Sequence, residues 1–120
     1  MADSKIIAVL EALLDATKKG EVVWEVGSAE NVFRARFAGG GVGIECRIVQ
    51  ELDGRVFQQP VNVFSVWFVN AAHRVIDAHE FEPGQPGHML LEALFPLARK
   101  SGLKVDQVLD NILFQLQSKR

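Results

Sequence analysis

Three histidines, His73, His79 and His88, lie close together in the sequence, with Asp77 and Glu80 between them. On an extended strand His73, Asp77 and His79 share one face, because successive side chains alternate. Imidazole and carboxylate groups that converge in this way bind a divalent metal or serve as general acid and base. Their spacing matches no zinc motif, and His73 stands at a turn, where alternation fails easily. The plainer alternative is a set of surface histidines on an edge strand, followed by a histidine at a helix start. The His73/Asp77/His79/His88 cluster is thus the candidate site of a small ligand-binding protein or metal-dependent enzyme, and the sequence implies no particular cofactor.

Other chemistries have weaker support. Cys46 is the only cysteine, so the chain has no intrachain disulfide and no zinc site of several thiolates. It falls in an apolar alternating row, where a free cysteine behaves as a small hydrophobe rather than a nucleophile. Gly39-Gly40-Gly41 leads into Val42-Gly43-Ile44-Glu45, a strand pattern, whereas a phosphate loop must open a helix. The Gly84–Gly87 stretch lacks a following lysine. Ser65 sits in mid-strand, away from any nucleophile elbow. Arg34, Arg36 and Arg47 interleave with Glu25, Glu45 and Glu51, as on a solvated mixed-charge face, and no aromatic residue joins them to stack on single-stranded nucleic acid.

The elements that must position these residues follow from periodicity. Ile6, Leu10, Leu13 and Thr17 recur at helical spacing, with Ile7 and Leu14 beside them, and predict a helix over Ser4–Lys19. Asp3 or Ser4 suits its start, and Gly20 suits the left-handed position after its end. The period then becomes two. Val22, Trp24 and Val26, then Phe33, Ala35 and Phe37, then Val42, Ile44, Cys46 and Ile48 alternate between turn segments. A tight turn at Gly39-Gly40 would set Phe37 opposite Val42, Phe33 opposite Cys46 and Arg34 opposite Glu45, and a turn over Gly27–Glu30 would set Trp24 opposite Phe33. Asp53-Gly54 is a strong hairpin signal, with a short strand over Arg55–Gln58 that Pro60 ends. Strands over Val61–Val69 and Arg74–Phe81 follow. After the Glu82–Gly87 loop, helical spacing returns at Leu90, Leu91, Leu94, Phe95 and Ala98, with Pro96 expected to kink or divide the helix. A last helix carries Val105, Val108, Leu109, Ile112, Leu113 and Leu116 as one stripe.

The Val61–Val69 strand is apolar on both faces, which suits a strand covered on both sides. In the hairpin it forms with Arg74–Phe81, Phe68 would lie beside Val75, Val66 beside Asp77 and Phe64 beside His79. Helices in one layer cover one face only. The other face, bearing either Phe64, Val66, Phe68 and Val75 or the set led by Trp67, would then form an apolar patch of the kind that marks a protein interface.

The expected fold is α+β: an N-terminal helix, an antiparallel meander sheet of five to six strands, and two C-terminal helices packed on one sheet face, in a single domain over residues 1–120. A hydrophobic fraction of 48% and a charged fraction of 23% suit a buried core. With 13 basic and 15 acidic residues, the net charge of -2 provides no field to hold nucleic acid. Glu11 and Asp15 interrupt the apolar N-terminal residues, so neither a signal peptide nor a membrane span is expected, and a cytoplasmic location is. In size, mild acidity and α+β make-up the chain resembles small bacterial helper proteins such as secretion chaperones and toxin-immunity proteins, without a shared motif. The chaperone order also places a helix in mid-sheet, where Glu51–Pro60 is too short and too polar for one. The function expected first is a non-enzymatic interaction module (adaptor, inhibitor or immunity-like), homodimeric, with Phe64, Val66, Phe68 and Val75 as its interface.

Overall fold

The computed structural model describes residues 2–118, with side chains over residues 4–118. These residues form α1 (Ala2–Lys18), β1 (Trp24–Val26), β2 (Val32–Phe37), β3 (Gly40–Leu52), β4 (Arg55–Asn70), β5 (Val75–Phe81), α2 (Pro86–Gly102) and α3 (Val105–Ser118). The strands make one antiparallel sheet in the order β1-β2-β3-β4-β5, so the fold is an α+β meander between helices, as the change of period implies.

α1 begins two residues ahead of Ser4, which puts Asp3 and Ser4 inside its first turn rather than at its cap. It ends as expected. Gly20 takes φ 74°, its amide donates to the Thr17 carbonyl, and the Glu21 amide donates to that of Ala16. This pair of bonds closes the last turn as a Schellman cap. Trp24 then ties β1 to both larger helices: its Nε1 donates to Thr17 Oγ1 at 3.1 Å, and its backbone amide donates to Ser101 Oγ at 3.1 Å.

Each expected hairpin forms, but three registers slide by two residues. The first turn centres on Ala38-Gly39, so Phe37 pairs with Gly40, Ala35 with Val42 and Phe33 with Ile44. Trp24 therefore faces Ala35 rather than Phe33, and Arg34 faces Gly43 rather than Glu45. β5 is displaced in the same way, pairing Phe64 with Phe81, Val66 with His79 and Phe68 with Asp77. An even slip keeps every side chain on its expected face. Asp53 and Gly54 both take positive φ at the tip of the β3–β4 hairpin, as the sequence predicts.

Pro60 does not end a strand. β4 runs through it, because the pairing jumps from Val49–Val61 to Glu51–Val56 and leaves Pro60 in a wide bulge where no amide is required. A second irregularity lies between β4 and β5, where Val69 pairs with Val75 next to the Phe68–Asp77 pair and Ile76 is squeezed out of the ladder.

The core lies between one sheet face and two helices. Leu10 and Leu13 of α1 and Leu91, Leu94 and Ala98 of α2 meet Trp24, Phe33, Ala35, Val42, Ile44, Phe64 and Val66. Phe95 adds edge contacts to Phe33 and Phe64. α2 continues unbroken through Pro96, which sits on its exposed side, where water can take up the Glu92 carbonyl that loses its amide. α3 is different. It meets chiefly α2, and none of its described residues is buried. The radius of gyration, 16.6 Å, exceeds the roughly 14 Å of a compact chain of this length, which shows how far the outlying elements project.

Candidate interaction surfaces

The structure separates the histidines. His73 lies in the β4–β5 turn with φ 63°, where Asn70 Oδ1 accepts from the amides of Ala72 and Arg74, so it does not share the strand alternation. Asp77 and His79 do share a face of β5, and His79 Nε2 stands 2.8 Å from Asp77 Oδ2. His88 is elsewhere, buried in the first turn of α2, with Nε2 2.7 Å from the Asn62 carbonyl oxygen and Nδ1 2.8 Å from Glu92 Oε1. Its ring packs 5.2 Å from that of Phe64. Among the described residues, no three His, Cys, Asp or Glu side chains come together as a metal site. Cys46 is half-buried beside the core, and burial, with the Glu45 carboxylate next to it, pushes its thiol up from the ordinary range.

The four expected interface residues divide. Phe64 and Val66 are 1% and 0% exposed under the helices, so in this fold they touch no partner. The helices have chosen the Phe64 face, which alternation alone does not reveal. Phe68 is half-buried on the same face, and Val75 is exposed at the start of β5.

The opposite sheet face is not a bare apolar patch. Trp67 lies over Gly43, where a Cβ would come within 2.2 Å of the indole. Around it Arg36 pairs with Glu25 at 3.4 Å, and Arg47 reaches Glu80 at 2.5 Å. Farther out, the Arg55 guanidinium bonds Glu82 and lies 5.8 Å from the Phe57 ring. The mixed-charge reading of the arginines fits this face.

A run of exposed apolar side chains lies instead on α3. Val108, Leu109, Ile112, Leu113 and Leu116 are 49–61% exposed, all on one stripe, and Phe114 is still more exposed. Asp106, Asp110 and the exposed Phe114 lie on the other side of the helix. The periodicity of this helix is plain in the sequence. Its exposure could be suspected only from the arithmetic of layers, since two helices already fill one sheet face. A second apolar feature is a groove of about 380 Å³ beside α1, lined by Val9, Ala12, Ala16, Val22, Phe37 and Phe68 among others. Family models, curated proteins and solved structures provide no match to this chain.

Proposed function

We propose that this protein is an interaction module, an adaptor, inhibitor or immunity-like protein, that self-associates through the apolar stripe of α3. The exposure of five large aliphatic side chains on one face of one helix carries this reading. Together they leave on the order of 400 Å² of apolar surface in water, the size of the largest patch on a typical monomer, which is often functional. A helix of this length owes most of its stability to packing of its apolar face, so α3 needs a partner surface. The bonds of His88 to the Asn62 carbonyl and Glu92 support reading it as a structural group of the fold. Among the described residues, no helix is long and apolar enough to cross a membrane. A reducing, cytoplasmic setting accords with one unpaired cysteine.

Solution mass by size-exclusion chromatography with light scattering tests the reading. The expected result is a dimer that dissociates on dilution, and a monomer when Leu109→Asp and Leu113→Asp are combined, with the circular dichroism of the sheet retained. A wild-type monomer at all concentrations, or a dimer that ignores the two substitutions, would overturn it.

A further inference from the structure

The two-residue slide of the β2–β3 register builds a cavity on the sheet face away from the core. Arg34 meets Gly43 and Arg36 meets Gly41. Across β3 the same glycines meet Trp67 and Val69 of β4. The result is a trough of about 580 Å³ floored by glycine backbone, with Arg34 and Arg36 on the β2 side, Trp67 and Val69 on the β4 side, and His73 of the β4–β5 turn also lining it. We infer that this trough binds a small aromatic carboxylate. The inference is independent of the self-association proposed above, which uses α3.

Three observations carry it. The first is shape. The volume falls in the range of small-molecule sites, roughly 300–1,000 Å³. Glycine weakens a strand interior, and where it recurs it marks a place that another group approaches closely. At Gly43 that group is the Trp67 indole, which takes the space a side chain would fill. Gly41, two residues away on the same face, stays partly open to solvent.

The second is charge. Arg34 Nε and Arg36 Nη2 stand 3.9 Å and 3.4 Å from the same oxygen, Oε2 of Glu25. One carboxylate shared by two guanidiniums leaves a positive charge in excess on this wall. Both arginines are exposed, and such pairs hold weakly, so an incoming anion competes for them. The planar guanidinium fork matches a carboxylate.

The third is the indole itself. Trp67 is half-buried, and its Nε1 lies over Gly43, 2.4 Å from where a Cβ would stand. Among the described residues this N–H has no hydrogen-bond partner, although a tryptophan so covered usually finds one. A carboxylate drawn to the arginines brings an acceptor to it, and the ring of the same ligand gains apolar contact with the indole and Val69. Spacing along the sequence does not reveal this wall, because the tryptophan arrives from β4.

Amide and indole N–H signals of the full chain, followed by NMR during titration with naphthalene carboxylate, test the inference. Trp67→Phe identifies the Trp67 indole signal, since Trp24 is the only other tryptophan. The expected result is a saturable shift of that signal and of the Gly41 and Gly43 amides, with a dissociation constant on the order of 1 mM or lower for a ligand of about a dozen non-hydrogen atoms. Naphthalene carboxamide, which keeps the shape and loses the charge, should bind roughly fivefold or more weakly, and so should acetate, which keeps the charge and loses the ring. Arg34→Gln with Arg36→Gln should weaken the carboxylate by a similar factor, while Arg47→Gln, outside the trough, should leave it unchanged. No saturation by about 10 mM would overturn the inference. So would equal binding of the carboxamide or of acetate, indifference to the two arginine substitutions, or shifts confined to α1 or α3.

Discussion

Nε2 of His88 stands 2.7 Å from the backbone carbonyl oxygen of Asn62, and this bond fastens the first turn of α2 to the middle of β4. On the other side of the ring, Nδ1 meets the Glu92 carboxylate one helical turn on. The side chain is thus a buried polar group with partners on both sides, packed on Phe64. His88→Ala is expected to cost about 2–4 kcal/mol, from a lost bond and a cavity together. Chemical denaturation checks this. His88→Gln, which keeps a donor within reach of Asn62, should recover part of the loss; equal losses would assign the effect to packing alone.

Gly43 and Trp67 should behave as a coupled pair. With any side chain at position 43 the indole must move, so Gly43→Val is expected to destabilise by about 1–3 kcal/mol. In a Trp67→Ala background the same substitution should cost much less, and the double-mutant cycle measures the difference. Additive losses would show that the strain lies in the strand backbone rather than under the ring.

Cys46 offers a pH test. Burial first, and the Glu45 carboxylate second, raise its thiol in the folded chain. Above the ordinary thiol range the unfolded chain gives up a proton that the folded chain still holds, so the unfolded state binds fewer protons and stability falls as pH rises. Below that range the group has no effect. Cys46→Ala should flatten the alkaline part of the stability profile and leave the neutral part unchanged in slope. Alkylation of the native thiol should be slower at pH 8 than that of the denatured chain.

Asp77 and His79 form an exposed strand pair, and such pairs contribute about 0–1 kcal/mol. His79→Ala and His73→Ala are each expected to leave the melting temperature nearly unchanged. Added zinc or manganese should not raise it. A stoichiometric metal in untagged protein would contradict the placement of these side chains.

Much of this fold could be read from residue order, and the shortfalls share physical causes. Alternation reports the face of a side chain, not its partner, so the Phe33 and Phe64 rows were legible while their registers were not: Phe33 meets Ile44 instead of Cys46, and Phe64 meets Phe81 instead of His79. Which face of β4 the helices cover was illegible for a different reason. Phe64 and Val66 on one side and Trp67 and Val69 on the other are equally apolar, and the choice is made by α1 and α2 from far along the chain. Pro60 misleads because a bulge relieves it of the donor duty that would otherwise end the strand. The stripe of α3 was evident from spacing, but spacing cannot say what covers a helix.

The irregularity at Ile76 has a consequence for how large an assembly can grow. β5 is a sheet margin, and its second residue, Ile76, leaves the ladder while Asp77 and Glu80 carry charge along it. At the other margin β1 is three residues long. Distorted, charged or short margins recruit further strands poorly, so lateral stacking into fibres is disfavoured at both ends. An association that is reciprocal through a helix closes on itself after two molecules and leaves no free valence. On the self-association proposed above, the chain would expose an apolar helix and still reach a finite stoichiometry.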